Sequence, residues 1–223
     1  MDKLTLIIPA KKEKDTLPKV LKDLEKYNLN IVVILEGDDI ETINAIKNFD
    51  YCEILIQTGR GYGDALITGI KKVQTKFFCI FNADGSFISE ELINMYKQIN
   101  EGDIDFVFAS RYLPGSSSED DTIVTWIGNK FFSFLGNALF SLNISDILYT
   151  YVMGDTLKAN SLNLKKKDFA LCVELPIKAK RAGFNLIDIK ASEKARIAGE
   201  KKVNAFKDGT LILFEMIRLF FNK

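Results

Sequence analysis

The sequence predicts an α/β fold with a mostly parallel central sheet flanked by helices. Three observations predict it. Short continuous apolar runs recur through the first half, as strands buried on both faces require. Between them, apolar residues return at helical spacing. Hydrophobic residues make up 47% of the 223 positions, enough for the core of one full domain.

The first strand is expected over residues 4–8, with Pro9 ending it. Leu17, Val20, Leu21 and Leu24 then mark a helix, and 31–35 is the next buried run. A helix with Ile43 and Ile46 leads to a short strand at 54–56. A glycine-rich turn opens a helix carrying Leu66, Ile70 and Val73. Residues 77–81 form a fourth strand, Leu92, Met95, Tyr96 and Ile99 a helix, and 104–108 a fifth strand.

The second half is less regular. Residues 114–121, rich in Gly, Ser and acid, are expected to form a mobile loop. A long apolar helix is expected over 126–142, another over 171–182 closed by Gly183, and a strand over 184–189. An amphipathic helix over 206–221 completes the chain.

Composition excludes several functions. Thirty Lys and Arg balance thirty Asp and Glu, which argues against a nucleic-acid partner. His is absent, so His-based zinc sites and Ser-His or Cys-His dyads are out. Cys52, Cys79 and Cys172 lie in separate apolar runs and read as buried thiols of a reducing compartment. The first ten residues are too short and too soon charged for a secretory signal, and no apolar run reaches the ~20 residues of a membrane span. A cytoplasmic location follows as an expectation.

In an open α/β sheet, ligands bind beyond the carboxyl ends of the strands. There the sequence collects carboxylates, glycines and arginines. Asn82-Ala83-Asp84 alternates, so residues 82 and 84 share a side. They read either as a partial ligand set for Mg²⁺ or Mn²⁺ or as ordinary turn residues. Gly59-Arg60-Gly61-Tyr62-Gly63 opens a helix and suits either phosphate oxygens or a purely structural turn. The basic segment from Arg196 to Lys202 is either a complement to phosphate or a solvated loop.

These pieces, in this order, resemble family 2 glycosyltransferases. Pro9-Ala10-Lys11-Lys12-Glu13 is similar to the family's Pro-x-x-Asn-Glu, and Leu35-Glu36-Gly37 stands where it has Asp-Asp-Gly. The glycine turn resembles its Gly-Lys-Gly-x-Ala turn, and Asn82-Ala83-Asp84 its Asp-x-Asp metal motif. Ser110-Arg111-Tyr112 and Ile144-Ser145-Asp146 resemble acceptor-side segments. Glu174-Leu175-Pro176-Ile177-Lys178-Ala179 is similar to a Glu-Leu-x-x-Lys-Ala helix. Arg196-x-x-Gly199-x-x-Lys202, followed by Lys207-Asp208-Gly209, is closest to the polyprenyl-phosphate branch.

The resemblance implies a GT-A, Rossmann-like fold in one domain: a nucleotide-sugar half over 1–115, an acceptor half over 116–205, and the helix over 206–223. It implies that Pro9, Ala10, Glu13 and Glu36 line the nucleoside, with Arg60 and Gly61 beside it. Asp84, with Asn82 and Ser86, would hold Mg²⁺ or Mn²⁺ on the donor diphosphate. Arg196 and Lys202 would clamp phosphate, and Arg111 and Asp146 would face the acceptor. Asp146 is the candidate general base if the acceptor is a sugar hydroxyl; an ionised phosphate needs none.

Several positions depart from the pattern. Asn82 replaces the first metal-motif Asp, and Thr125 stands where an Arg commonly precedes Gly128-Asn129. Lys12 replaces the Asn before Glu13, and Thr150-Tyr151-Val152 replaces Gly-Tyr-Arg. The expected activity is therefore metal-dependent transfer from a nucleotide-diphosphate sugar to a phosphate-bearing acceptor, a polyprenyl phosphate or another, or to a sugar hydroxyl of a glycan. A nucleotidyltransferase and a non-catalytic nucleotide binder remain open. The tail has only two charges, Glu215 and Arg218, between Leu211 and Phe221. It reads either as a core helix or as an interfacial helix placing the protein peripherally on the inner membrane surface.

Overall fold

The computed structural model describes residues 1–199 and 204–222. Its centre is a sheet of β1 (Leu4–Ala10), β2 (Asn30–Leu35), β3 (Cys52–Ile56), β4 (Phe77–Ile80), β5 (Phe106–Ser110), β6 (Val152–Asp155) and β7 (Leu186–Lys190). The spatial order is β3-β2-β1-β4-β6-β5-β7, all parallel except β6, which runs antiparallel between β4 and β5. The helices are α1 (Leu17–Leu24), α2 (Ile40–Ile46), α3 (Tyr62–Lys72), α4 (Glu91–Glu101), α5 (Ile123–Phe140), α6 (Thr156–Ser161), α7 (Leu171–Arg181) and α8 (Ala205–Phe221).

Alternation along β1 builds two cores. Leu4, Leu6 and Ile8 pack with α1 and α4 on one face, while Ile7 packs with α3 and α7 on the other. Both faces are covered, which explains the continuous apolar runs.

Four expectations need correction. Pro9 does not end β1, which continues to Ala10. Ile7 points its carbonyl toward β4, accepting from Phe81 N–H at 2.9 Å. Residue 9 faces the same way, but the β1–β4 pairing has ended at Ile7–Ile80, so the missing proline N–H leaves no gap.

The fifth strand begins two residues late because Asp105 is spent on anchoring. Its carboxylate accepts from Asn185 N–H at 2.9 Å and pairs with Lys158. That shift carries Ser110 and Arg111 to the sheet's carboxyl edge.

Strand β6 and helix α6 had no sequence signal. The strand has four residues, one of them Gly154, too few to show a period. Gly154 is needed there, since a Cβ would collide with the rings of Phe106 and Phe78.

The segment 114–121 is pinned rather than loose. Glu193 N–H donates to Ser117 O at 2.9 Å, Glu119 N–H donates to Glu193 O at 3.0 Å, and Ser118 Oγ donates to the Glu193 carboxylate at 2.6 Å.

Candidate active site

A cleft of about 650 Å³ opens at the carboxyl ends of β1, β2 and β4. The ends of these strands supply Pro9, Ala10, Glu36, Asn82 and Asp84 to its wall. The inner end is apolar, with Ala65, Leu148, Phe169, Cys172 and Ile212. Tyr62 stacks on Phe169 at 4.7 Å and donates its hydroxyl to Thr150 at 2.7 Å, closing that end.

Beyond the ends of β1 and β2, Glu13 and Glu36 are both buried. Glu13 accepts from Thr16 Oγ at 2.6 Å, and Lys11 Nζ lies 2.9 Å from Glu36. Gly61 reaches the wall, but its glycine has a packing cause: at φ 101°, a Cβ would strike the carbonyl oxygen of Lys167. That carbonyl is held in place by α7. Buried Glu174 accepts from Lys165 N–H and from Lys166 N–H at 2.8 Å, fixing the strap that crosses the glycine turn. Arg60 does not join the cleft; its side chain is exposed and pairs with Asp38 at 3.3 Å.

The turn after β4 is tightly bonded. Asp84 Oδ1 accepts from Asn82 Nδ2 at 2.5 Å and from Ser86 N–H at 3.0 Å. Asn82 Nδ2 also donates to Ser86 Oγ at 2.5 Å, while its carbonyl accepts from Phe87 N–H at 3.3 Å. Asn82 thus presents a donor to Asp84, where a carboxylate would repel it. Asp84 Oδ2 faces Arg196 Nη1 at 3.8 Å.

Arg196 is already gripped. Its Nη2 donates to Asp120 Oδ2 at 2.8 Å and its Nε to Oδ1 at 3.2 Å. The bonds to Asp120 outweigh burial and raise its pKa further, so the charge is permanent. Lys202 lies outside the described residues.

Directly after β5, Arg111 organises a cluster of carboxylates. Its Nε donates to Asp146 Oδ2 at 2.7 Å, Nη2 to Asp146 Oδ1 at 3.0 Å, and Nη1 to Glu193 at 3.0 Å. The guanidinium also lies 4.4 Å from the centre of the Tyr149 ring. Burial opposes its charge, but Asp146 and Glu193 hold it protonated, above the usual guanidinium range. Asp146 is wholly buried with both oxygens bonded to Arg111, and it does not line the cleft. This geometry makes it a positioning residue and removes it as a general base.

Asp120, Asp121 and Glu193 also reach the cleft, and sequence reasoning missed all three. Asp121 accepts from Tyr112 Oη at 2.5 Å and Thr125 Oγ1 at 3.0 Å. For Asp120 and Asp121 the only signal was the acid-rich loop, which gave no hint of the arginines that would hold it; Glu193 had none. Cys172 lines the apolar end, where burial pushes its thiol up to about 12, too high for a nucleophile.

Among the described residues, six carboxylates and four cationic side chains line the cleft, a net charge of minus two. No group of three or more His, Cys, Asp or Glu is placed to hold a metal among them. The donor set suits a divalent ion shared between one carboxylate and substrate phosphates, with Asp84 Oδ2 as the protein's oxygen. It does not suit an ion held by protein alone. Asn82 and Ser86 oxygens are engaged within the turn.

The family model for glycosyl transferase family 2 matches residues 5–156. An uncharacterized protein of Methanocaldococcus jannaschii is 26% identical over 97% of this chain and 91% of its own length. An uncharacterized glycosyltransferase of Mycobacterium tuberculosis is 23% identical over 95% and 94%. Among solved structures, glucosyl-3-phosphoglycerate synthase from Mycobacterium tuberculosis, in complex with Mn²⁺, uridine diphosphate and glucosyl-3-phosphoglycerate, superposes with a TM-score of 0.76 at 12% identity, over 98% of this chain and 80% of that one. Mannosyl-3-phosphoglycerate synthase from Rubrobacter xylanophilus gives 0.66 at 14% identity, over 97% and 72%. At these identities the structural likeness establishes the shared fold.

Proposed function

Because this chain belongs to glycosyl transferase family 2 and is a glycosyltransferase, we propose that it moves a sugar from a nucleoside-diphosphate sugar to a phosphate-bearing acceptor. The observation that carries this reading is Arg196 facing Asp84 across 3.8 Å in a cleft of net negative charge. A diphosphate entering such a cleft needs cationic partners. Arg196 supplies one by exchanging Asp120 for phosphate oxygens. Asp84 would hold a divalent ion there, which when bound would supply the remaining positive charge for the leaving diphosphate.

The reaction breaks the bond between the anomeric carbon and the diphosphate oxygen and forms one to an acceptor oxygen. Glu13 and Glu36 are acceptors suited to ribose hydroxyls or base N–H groups. A phosphate acceptor is already ionised and needs no base. That agrees with an acceptor side whose Asp121, Asp146 and Glu193 carboxylates all bond to Arg111. The Mycobacterium tuberculosis synthase, described with uridine diphosphate and phosphoglyceric acid, is a precedent for a phosphate-bearing molecule beside the nucleotide, though not for attack by a phosphate oxygen.

The test is turnover. Purified protein is mixed with a panel of uridine- and guanosine-diphosphate sugars, Mg²⁺ or Mn²⁺, and phosphoglyceric acid, a short polyprenyl phosphate or an unphosphorylated sugar as acceptor. Acceptor-dependent release of nucleoside diphosphate supports the reading. Release only with unphosphorylated sugar acceptors would overturn the acceptor assignment.

A further inference from the structure

We infer that the outer faces of α5 and α8 form a docking surface for an anionic lipid bilayer, holding the cleft against a membrane that carries the acceptor phosphate. The inference deepens the proposed function and rests on it for the acceptor alone.

The two helices lie side by side and point the same way. Gly209 abuts the Phe132 ring, Met216 reaches Gly136, and the Phe140 and Phe220 rings sit 6.2 Å apart. Their inward faces are ordinary core: Phe132 and Gly136 on one, Ile212, Met216 and Leu219 on the other. Their outward faces are apolar as well. On α5, Ile123 is 79% exposed and Phe134 68%, with Ile127 and Phe131 also open. On α8, Phe206 is 84% exposed and Phe214 66%, with Ile217 and Phe221 beside them. Soluble monomers rarely leave so many large apolar side chains together in water.

Charge says what covers this surface. Both acidic residues of α8 turn inward: Asp208 accepts from Asn204 N–H at 2.7 Å, and Glu215 pairs with Lys166 at 2.8 Å and Arg218 at 2.5 Å. Of the acids preceding α5, Asp120 bonds Arg196 and Asp121 accepts from Tyr112, while Glu119 stays exposed and accepts from Ala195 N–H. The ionic side chains left at the surface of the two helices are all cationic: Lys207, exposed; Arg218, exposed and paired with Glu215; and Lys130, half-buried over the Tyr112 ring. An apolar face rimmed by one sign of charge complements anionic headgroups above an acyl layer. A two-fold pair of this chain would set like charges against each other in a self-complementary interface, which disfavours a second copy as the occupant.

The fold gives the surface a purpose. Thr125 and Asn129 of α5, and Ile212 of α8, line the cleft whose inner end is apolar. The helices that carry this surface therefore also contribute to the wall of the cleft. No described helix is long and apolar enough to cross a membrane, so the contact is interfacial.

Vesicle flotation with the full chain tests this. Vesicles of phosphatidylcholine with phosphatidylglycerol should carry the protein upward, and pure phosphatidylcholine should carry much less. Raising the salt should weaken binding by screening the cations. The double variant Phe134→Ser/Phe214→Ser loses two exposed rings without touching the cleft, so its bound fraction should fall by roughly tenfold or more. Its melting temperature and nucleoside-diphosphate binding should stay unchanged. Wild-type protein that ignores anionic vesicles overturns the docking surface. So does a dimer in sedimentation that the double variant dissolves. Nucleotide binding without flotation defeats the docking inference alone; flotation without nucleotide binding defeats the transferase reading alone.

Discussion

Arg196 holds Asp120 in a bidentate pair, 2.8 Å and 3.2 Å, while standing 3.8 Å from Asp84. The carboxylate of Asp120 occupies the guanidinium as a phosphate would. Asp120→Asn should therefore tighten nucleoside-diphosphate binding several-fold, by removing both a competitor and a repelling charge. Arg196→Ala should weaken it roughly 10–100-fold, the worth of one charge-assisted bond of about 1.5–3 kcal/mol. Calorimetric titration reads both. Opposite signs are the signature; equal losses would mean that the pair is only a clasp for the loop.

Asn82 and Asp84 predict an unusual response to metal. In the wild type, the amide donates to the carboxylate at 2.5 Å. Asn82→Asp puts two like charges at that separation. Without divalent ions the variant should melt below the wild type, and Mn²⁺ should raise its melting temperature more than it raises the wild type's. Thermal melts with chelator and with Mn²⁺ check this. An unchanged melt under both conditions would place residue 82 outside the ion's reach.

Asp146 separates structure from chemistry. It is buried and doubly bonded to Arg111. Asp146→Asn leaves a buried guanidinium short of one charge, and losing a partner of a buried pair costs about 3–5 kcal/mol. Urea unfolding should show that loss. A general base would behave otherwise, losing turnover with stability intact.

Glu193 supplies the pH dependence. Burial pushes its carboxyl above the ordinary range, against the pull of Arg111 and Ser118. The folded state then holds this proton at pH values where the unfolded chain has released it. Its contribution to stability is full below the unfolded pKa of about 4.5 and declines as pH rises through the raised folded value. Glu193→Gln should flatten stability between mildly acidic and neutral pH. A variant whose melts track the wild type at every pH would contradict this.

Most of the nucleotide half was legible in the sequence. Buried parallel strands have continuous apolar runs, and Pro9, Glu36, Asn82 and Asp84 fall directly after them, so a linear reading finds the sheet edge. The acceptor half was less legible because long-range ion pairs build it. Arg111 meets Asp146 and Glu193, partners 35 and 82 residues away in sequence. Asp120 meets Arg196 across 76. No local pattern announces such pairs, so Asp146 looked like a reactive group and the 114–121 loop looked loose. At Gly61 the sequence could not separate its two readings: the residue lines the cleft, and the carbonyl of Lys167 independently requires a glycine there. Strand β6 was too short and too interrupted to show any period.

In the proposed reaction, Asp84 and Arg196 together receive the donor's diphosphate. The most direct measurement is calorimetric titration of uridine and guanosine diphosphates, with Mn²⁺ and with chelator, into the wild type, Asp84→Ala and Arg196→Ala. The account predicts that the wild type binds at least one nucleotide with Mn²⁺ and far more weakly with chelator. It also predicts that each variant loses most of that affinity while keeping its circular dichroism. Equal affinity in the wild type and both variants, or binding indifferent to the metal, would contradict it.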